Sequence, residues 1–341
     1  MVGGMAAERP KVGLVLGAGG LVAQAYHAGV LAALALDLGW DPRTAEVIVG
    51  TSAGSITGAA LRLGVPARDL AAWAVETPIS AEGATIFDAI GTERPDLPPF
   101  DGRHLLRPWR LPSRHLLRRL VVRPWRISPL AAALTLAPSG QVDLTRHLVA
   151  LDQLAAGTWP SGLWICAARR SDSRRVTFGR PGSPTTTLAT AVAASCAIPG
   201  YFAPVRVDGL AYIDGGVHSP TNADVLLRAD VDLVIVVSPM SARRGTRPAD
   251  APMRWHARRK LDREVHRLRQ SGTPVVRIEP GSTVLEVMGR NPMDEARTVP
   301  VVQQAFFDTA AATSDPRATA LLRQLAVPSP PAVPAGDDAT A

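Results

Sequence analysis

The segment Gly50-Thr51-Ser52-Ala53-Gly54 has the spacing of a serine nucleophile on a sharp turn. An apolar run, Val47–Val49, precedes it, and a segment suited to a helix follows it. In this strand–turn–helix context, Gly-x-Ser-x-Gly forms a nucleophile elbow. The glycines leave room for the turn, and the Ala53 N–H at the start of the helix favours negative charge beside the serine oxygen. The pattern predicts acyl-transfer chemistry at Ser52.

Two further motifs offer what a serine nucleophile needs, a proton acceptor and hydrogen-bond donors for the oxyanion. The loop Gly17-Ala18-Gly19-Gly20 follows an apolar strand, and its small residues leave backbone N–H groups free to converge on an anion. The apolar run Ala211–Ile213 leads into Asp214-Gly215-Gly216, where two glycines allow a backbone or a substrate to approach closely. Asp214 is therefore the candidate base.

The elements that must position these motifs alternate along the chain as strand, turn and helix. Lys11–Leu16 is a strand that leads through the glycine loop into a helix over about Ala23–Leu38. The elbow repeats this arrangement, and two such units predict a parallel α/β sheet. Further strands are predicted at Leu163–Ala168, Arg175–Phe178, Leu210–Ile213, Val231–Val237 and Pro274–Ile278.

Taken in order, the three motifs resemble those of the patatin-like phospholipase family. His27-Ala28-Gly29-Val30-Leu31 and the segment Ala194–Pro204 resemble two further stretches of that family, so the resemblance spans roughly residues 11–310. It implies a three-layer α/β/α sandwich, for which the sequence itself predicts a mostly parallel central sheet and a basic insertion.

The resemblance also implies the roles of the site residues. Ser52 attacks an ester carbonyl, and Asp214 accepts its proton directly or through a water, without a third member. The loop of Ala18, Gly19 and Gly20 forms the oxyanion hole. No metal or cofactor is required. The expected activity is that of a serine esterase acting on phospholipids, lysophospholipids or acylglycerols.

The glycine loop departs from the family pattern Gly-Gly-Gly-x-Arg/Lys-Gly. Val22 stands at the basic position and Ala23 at the last glycine. A non-catalytic or weakly active relative that binds lipid or regulates a partner therefore remains the alternative. A dinucleotide-binding loop is disfavoured by the elbow and by Asp-Gly-Gly. A Ser-His-Asp triad would need a histidine beyond residue 278, whereas the seven histidines end at His266.

The composition predicts one large globular domain. The chain has 341 residues, of which 46% are hydrophobic and 20% charged, enough to bury a sizeable core. We expect an N-terminal extension at 1–10, a single domain at 11–326 and a disordered tail at 327–341. Proline and glycine punctuate residues 79–140, which predicts an insertion or lid. Cys166 and Cys196 lie in apolar surroundings and are expected to be reduced core residues.

The basic segment Arg103–Arg126 points to an anionic partner. It carries eight arginines, two histidines and no acid, interleaved with leucines and with Trp109 and Trp125, in a chain of net charge +7. Such a segment favours an anionic membrane surface, with a solvated helix face as the alternative. No nucleic-acid module is recognised, so nucleic acid is not an expected partner. No leader is found, and no run approaches the about 18 apolar residues of a spanning helix. These observations predict a cytoplasmic protein with peripheral contact to a membrane.

Overall fold

Eight strands form one mixed sheet in the described part of the chain. The computed structural model describes residues 10–90, 107–122, 127, 129–243, 251–312, 320, 322 and 325. The strands are β1 Val12–Leu16, β2 Val47–Thr51, β3 Leu163–Arg169, β4 Arg174–Phe178, β5 Val205–Val207, β6 Leu210–Asp214, β7 Leu233–Val237 and β8 Val275–Ile278. The helices are α1 Gly20–Leu38, α2 Ala53–Arg62, α3 Ala67–Ala74, α4 Ala81–Ile90, α5 Arg114–Val122, α6 Pro129–Leu136, α7 Val149–Leu154, α8 Leu188–Ser195, α9 Ala251–Gln270, α10 Ser282–Met288 and α11 Thr298–Ala312.

The strand order is β5-β6-β3-β2-β1-β7-β8, with β4 paired to β3. Strands β3, β2, β1, β7 and β8 are parallel, whereas β4 and β6 run antiparallel to β3. Every residue of β1, β2 and β7 is buried. Such continuous apolar strands are stable only when helices cover both faces of the sheet.

Side chains of the strands alternate between two helical layers, as the period of two requires. Leu14 and Ile48 belong to a core that includes residues of α1, α2, α3, α8, α10 and α11. Val15 and Val49 point the other way and share a core with Leu261 and its neighbours on α9. The result is the three-layer α/β/α sandwich that the sequence predicts.

Helix α1 is apolar on most of its surface because the protein surrounds it. It packs against α11 and α3, and a Cβ atom at Gly29 would collide with the carbonyl oxygen of Val302 on α11. Among the described residues, α1 is the one helix long and apolar enough to cross a membrane, which corrects the prediction that no run approaches that length. Most of the helix is buried inside the protein. The apolar composition of α1 is therefore explained by its position in the protein core.

The predicted insertion contains helices α4, α5 and α6. Helix α5 buries Leu116 against Ala168 and Ile213, near the carboxyl ends of β3 and β6. Residues 91–106, 123–126 and 128 of the insertion lie outside the described part of the chain, as do residues 1–9 and the predicted tail at 327–341.

Candidate active site

The ends of β2 and β6 meet on one edge of β3. Thr51, the last residue of β2, pairs with Cys166, and Asp214, the last residue of β6, pairs with the next residue, Ala167. Because β2 runs parallel and β6 antiparallel to β3, the two strands point toward each other and stop at this junction. Ser52 directly follows Thr51. The sheet register therefore brings Ser52 and Asp214 together from distant parts of the chain.

Ser52 occupies a strained turn between β2 and α2. Its φ of 52° and ψ of −121° lie in a region that residues with side chains rarely adopt. A Cβ atom at Gly50 would lie 2.6 Å from the carbonyl oxygen of Gly54, and one at Gly54 would collide with the carbonyl oxygen of Leu16. Both glycines are therefore required by close packing. The geometry is that of a nucleophile elbow.

A second serine holds the strained backbone of Ser52. The Ser52 N–H donates to Oγ of Ser195 at 2.8 Å, and the Ser195 hydroxyl donates to the carbonyl of Cys166 at 2.7 Å. The Ser52 carbonyl accepts bonds from the N–H and the hydroxyl of Ser55, both at 2.7 Å. These bonds satisfy buried polar groups at the turn. Sequence reasoning did not assign Ser195 a role, although it lies in the family-like segment Ala194–Pro204.

Asp214 is buried beside the hydroxyl group of Ser52. The residue is 6% exposed. Burial raises the pKa of Asp214 from 3.8 to about 6, while the Ser52 hydroxyl and the Gly216 N–H act in the opposite direction. The Gly216 N–H donates to Oδ1 of Asp214 at 2.7 Å. At Gly215, a Cβ atom would collide with the carbonyl oxygen of Cys166. A buried carboxylate with a pKa near neutrality is suited to accept a proton from a serine.

The glycine loop between β1 and α1 leaves two backbone donors available. Gly19 has a φ of 146° and Gly20 a φ of 69°, where glycine is favoured. The Ala18 N–H donates to the carbonyl of Pro220 at 2.8 Å, which removes it from the predicted set of oxyanion donors. The Ala18 side chain packs close to the Asp-Gly-Gly motif, since a Cβ atom added at Gly216 would lie 3.5 Å from the Ala18 methyl group. Within the described part of the chain, we find no acceptor for the N–H of Gly19 or Gly20, at the N-terminus of α1.

The departure from the family pattern at positions 22 and 23 has a packing reason. Val22 and Ala23 are both buried, and the Val22 N–H donates to the carbonyl of Pro292 at 3.1 Å. A basic side chain at position 22 would have to enter this apolar core, where an unpaired charge is costly. The position therefore belongs to the core in this chain and not to an anion site.

Two histidines lie near the site, His27 buried on α1 and His218 partly exposed in the loop that follows Asp214. His27 of α1 has its Nδ1 atom 3.4 Å from Oγ1 of Thr57, and burial lowers its pKa to about 3. Burial and the charges of Arg175 and Lys260 lower the pKa of His218 to about 4. Within the described residues, neither histidine forms a hydrogen bond to the candidate serine or aspartate. The described residues also contain no group of three or more His, Cys, Asp or Glu side chains that could hold a metal ion.

Comparison with known proteins identifies the family. The model of the family described as patatin-like phospholipase matches residues 14–227, which contain the glycine loop, the elbow and the Asp-Gly-Gly motif. A search of curated proteins gave no match.

Among solved structures, the chain is similar to VipD from Legionella pneumophila, with a TM-score of 0.39 and 13% identity over 89% of this chain and 67% of that chain. It is also similar to human GIVD cytosolic phospholipase A2, with a TM-score of 0.44 and 11% identity over 93% of this chain and 62% of that chain. The chain thus spans about two thirds of the length of these structures. Since the family model matches more than half of its residues, the chain belongs to the patatin-like phospholipase family.

Proposed function

We propose that this protein is a lipid acyl hydrolase that cleaves ester bonds of phospholipids, lysophospholipids or acylglycerols through a Ser52–Asp214 dyad. Family membership supports a lipid ester as the substrate. The observation that carries the proposal is the position of the strained Ser52 beside a buried carboxylate of raised pKa. A strained serine next to a carboxylate is the arrangement that serine acyl transfer needs.

In the proposed acylation step, the Ser52 oxygen attacks the ester carbonyl carbon and Asp214 accepts the serine proton. The carbonyl oxygen becomes an oxyanion, for which the N–H groups of Gly19, Gly20 and Ala53 are the proposed donors. These groups lie at the N-termini of α1 and α2, where helix dipoles favour negative charge. When the tetrahedral intermediate collapses, the alcohol leaves with the proton from Asp214, and the acyl group remains on Ser52.

Deacylation reverses these roles with water as the nucleophile. Asp214 takes a proton from the water, which attacks the acyl carbon, and the same donors hold the second oxyanion. Collapse returns the proton to the Ser52 oxygen and releases the fatty acid. Because Asp214 must be ionised at the start of each half-reaction, its pKa of about 6 suits work at neutral pH.

Helix α5 supports a proposed contact with anionic membranes through the segment Arg103–Arg126. Leu117 and Val121 are exposed apolar side chains on this helix, beside the exposed Arg114 and Arg118. Arginines near an anionic leaflet contribute about 1 kcal/mol each, and apolar side chains insert below them. Because α5 packs near the ends of β3 and β6, membrane contact there would bring lipid close to the dyad. The proposed location is accordingly cytoplasmic, with peripheral membrane contact.

A fluorophosphonate probe and a panel of lipid classes test the proposed activity. We expect the probe to label the wild-type protein, Ser52→Ala to abolish labelling, and Asp214→Asn to slow it by orders of magnitude. The control Ser183→Ala, on a surface turn, should label normally. Fatty acid release from the panel would identify the substrate class. A folded wild-type protein that binds lipid vesicles but neither reacts nor hydrolyses would instead establish the non-catalytic alternative.

Vesicle sedimentation tests the membrane contact separately. Replacement of Arg110, Arg114 and Arg118 with glutamine should weaken binding to anionic vesicles at low salt while leaving hydrolysis of a small soluble ester unchanged. The control variant loses the same amount of charge on other parts of the surface. It replaces the exposed Arg68, Arg146 and Arg206 with glutamine. Equal binding by the two triple variants would contradict a specific role for α5.

A further inference from the structure

A buried asparagine connects the strand of the proposed nucleophile with the loop of the proposed base. Asn222 has no exposed surface. Its Nδ2 group donates to Oγ1 of Thr51 at 3.1 Å and to the carbonyl of Ser219 at 2.6 Å, with a longer contact of 3.4 Å to the carbonyl of Gly215. Thr51 immediately precedes Ser52, and Gly215 immediately follows Asp214. One side-chain amide therefore contacts the neighbour of each member of the dyad.

The orientation of this amide is fixed by its surroundings. Asn222 has a φ of 54° and a ψ of 27°, a left-handed conformation that asparagine tolerates better than most residues. Its Oδ1 atom accepts a bond from Nη1 of Arg175 at 3.3 Å, and Arg175 also pairs with the carboxylate of Asp224. The charged donor holds the oxygen end of the amide, which leaves the nitrogen end directed at Thr51 and Gly215.

Helix α9 anchors the residues on both sides of Asn222. Oε2 of Glu264 accepts a bond from the hydroxyl of Thr221 at 2.6 Å and from the N–H of Ala223 at 2.9 Å. Glu264 is itself buried. The residue that carries the amide is thus held from the helical layer, independently of β2 and β6.

The junction between β2 and β6 needs such a link. Both strands pair with β3, and in the described part of the chain no backbone hydrogen bond joins one to the other. Their distance from each other therefore depends on side-chain contacts, among them the packing of the Thr51 methyl group against Gly215 and the bonds of the Asn222 amide. Proton transfer between a hydroxyl and a carboxylate requires hydrogen-bond distance, and a misplacement of about 1 Å costs on the order of a hundredfold in rate.

We propose that Asn222 is a positioning residue that holds Ser52 and Asp214 at reacting distance by bridging Thr51 and Gly215. The inference rests on the proposed hydrolase function for its consequence in catalysis. The bridge itself makes a prediction that requires no turnover. When the bridge is lost, the Ser52 hydroxyl moves away from the carboxylate, and the pKa of Asp214 rises because that hydroxyl lowers it. Burial and the Gly216 N–H, the other influences on this carboxylate, are unchanged.

Two single variants remove the bond between Asn222 and Thr51 from opposite sides. Asn222→Gly deletes the amide and keeps a residue that accepts positive φ, and Thr51→Val deletes the acceptor in a side chain of the same shape. If Asn222→Gly does not fold, Thr51→Val by itself tests whether the bridge positions the dyad. Thr309→Val is the matched control because it removes a buried hydroxyl whose bond, among the described residues, stays within α11.

The experiment measures kcat and KM for a small soluble ester from pH 4.5 to 8 and the carboxyl titration of Asp214 by ¹³C NMR. We expect kcat to fall about tenfold to a hundredfold in both variants, with KM little changed. The acid limb of the pH–kcat profile and the midpoint of the Asp214 carboxyl titration should both move to higher pH. The double variant should be no worse than the more damaged single variant, because the same bond is lost. The Thr309→Val control should keep the wild-type midpoint.

The outcomes separate this inference from the proposed function. Folded variants whose Asp214 titrates as in the wild type would overturn the positioning role, whatever their activity. A wild-type protein without activity would overturn the proposed function, and the titration would then decide on the bridge alone. Lower thermal stability with an unchanged midpoint and kcat would show a purely structural asparagine and also refute the inference.

Discussion

Asp214 should make the folded protein less stable at neutral pH, so its neutralisation should stabilise the fold. Burial raises the pKa of Asp214 from 3.8 to about 6, and the folded state therefore binds this proton more tightly than the unfolded state does. The resulting contribution to the free energy of unfolding is present in acid and is lost as pH rises from about 4 through 6. Asp214→Asn removes the titrating group and keeps an oxygen that accepts the Gly216 N–H. The variant should consequently be the more stable protein above pH 6.

The size of this effect follows from the pKa shift. A change in pKa from 3.8 to about 6 corresponds to about 3 kcal/mol in the free energy of unfolding. Asp214→Asn should exceed the wild type by this amount at a pH where Asp214 is ionised in both the folded and the unfolded state. At pH 5 the difference should be about half as large, and near pH 3 it should vanish. Because Asp214 is 6% exposed, solvent does little to screen the effect.

Urea unfolding of both proteins between pH 3 and 8 measures this difference directly. Subtraction of the two curves removes contributions from all other titrating groups. Asp208→Asn is the control, since Asp208 is exposed and its φ of 49° suits asparagine equally well. A difference between Asp214→Asn and wild type that stays constant across this range would refute the argument that burial raises the pKa of this carboxyl.

Three further predictions concern the dyad and its supports. Hydrolysis of a small ester should rise with pH with a midpoint of about 6, because Asp214 must be ionised; a flat rate down to pH 4.5 would contradict this. Gly54→Ala should prevent folding, as judged by soluble yield and circular dichroism, because the methyl group collides with a carbonyl of β1. Gly182→Ala meets no atom within 4 Å and should fold, with only the modest backbone strain of alanine at a φ of 79°. Ser195→Ala should lower the free energy of unfolding by about 1–3 kcal/mol, since the buried Ser52 N–H loses its acceptor; unchanged urea stability would disprove it.

Local patterns in the sequence predicted much of the sheet. Strand β3 and strand β6 were each predicted to within one residue, because apolar runs bounded by turn residues specify buried strands. The elbow glycines at Gly50 and Gly54 also have a local cause, the tightness of the turn around Ser52. Strand β5 was missed because its three residues, Val205–Val207, are too short to show a period.

The parts of the site that the sequence did not reveal depend on contacts between distant segments. Ser195 and Asn222 are ordinary polar residues in the sequence, and their partners become evident only once β2, β3 and β6 have paired. The same holds for Ala18, whose N–H is bound by Pro220, more than two hundred positions along the chain. Helix α1 also begins earlier than predicted, at Gly20, because a glycine does not prevent the first helical turn.

The meeting of β2 and β6 on β3 has a consequence for how the protein is made in the cell. The ribosome synthesises Ser52 first, then the strand on which both ends must settle, and only later Asp214. A nascent chain that has emerged only as far as the elbow carries Ser52 without Asp214, its proposed base. Under the proposed dyad chemistry, such an unfinished chain would be unable to hydrolyse the lipids of nearby membranes until β6 has joined β3 and brought Asp214 to Ser52.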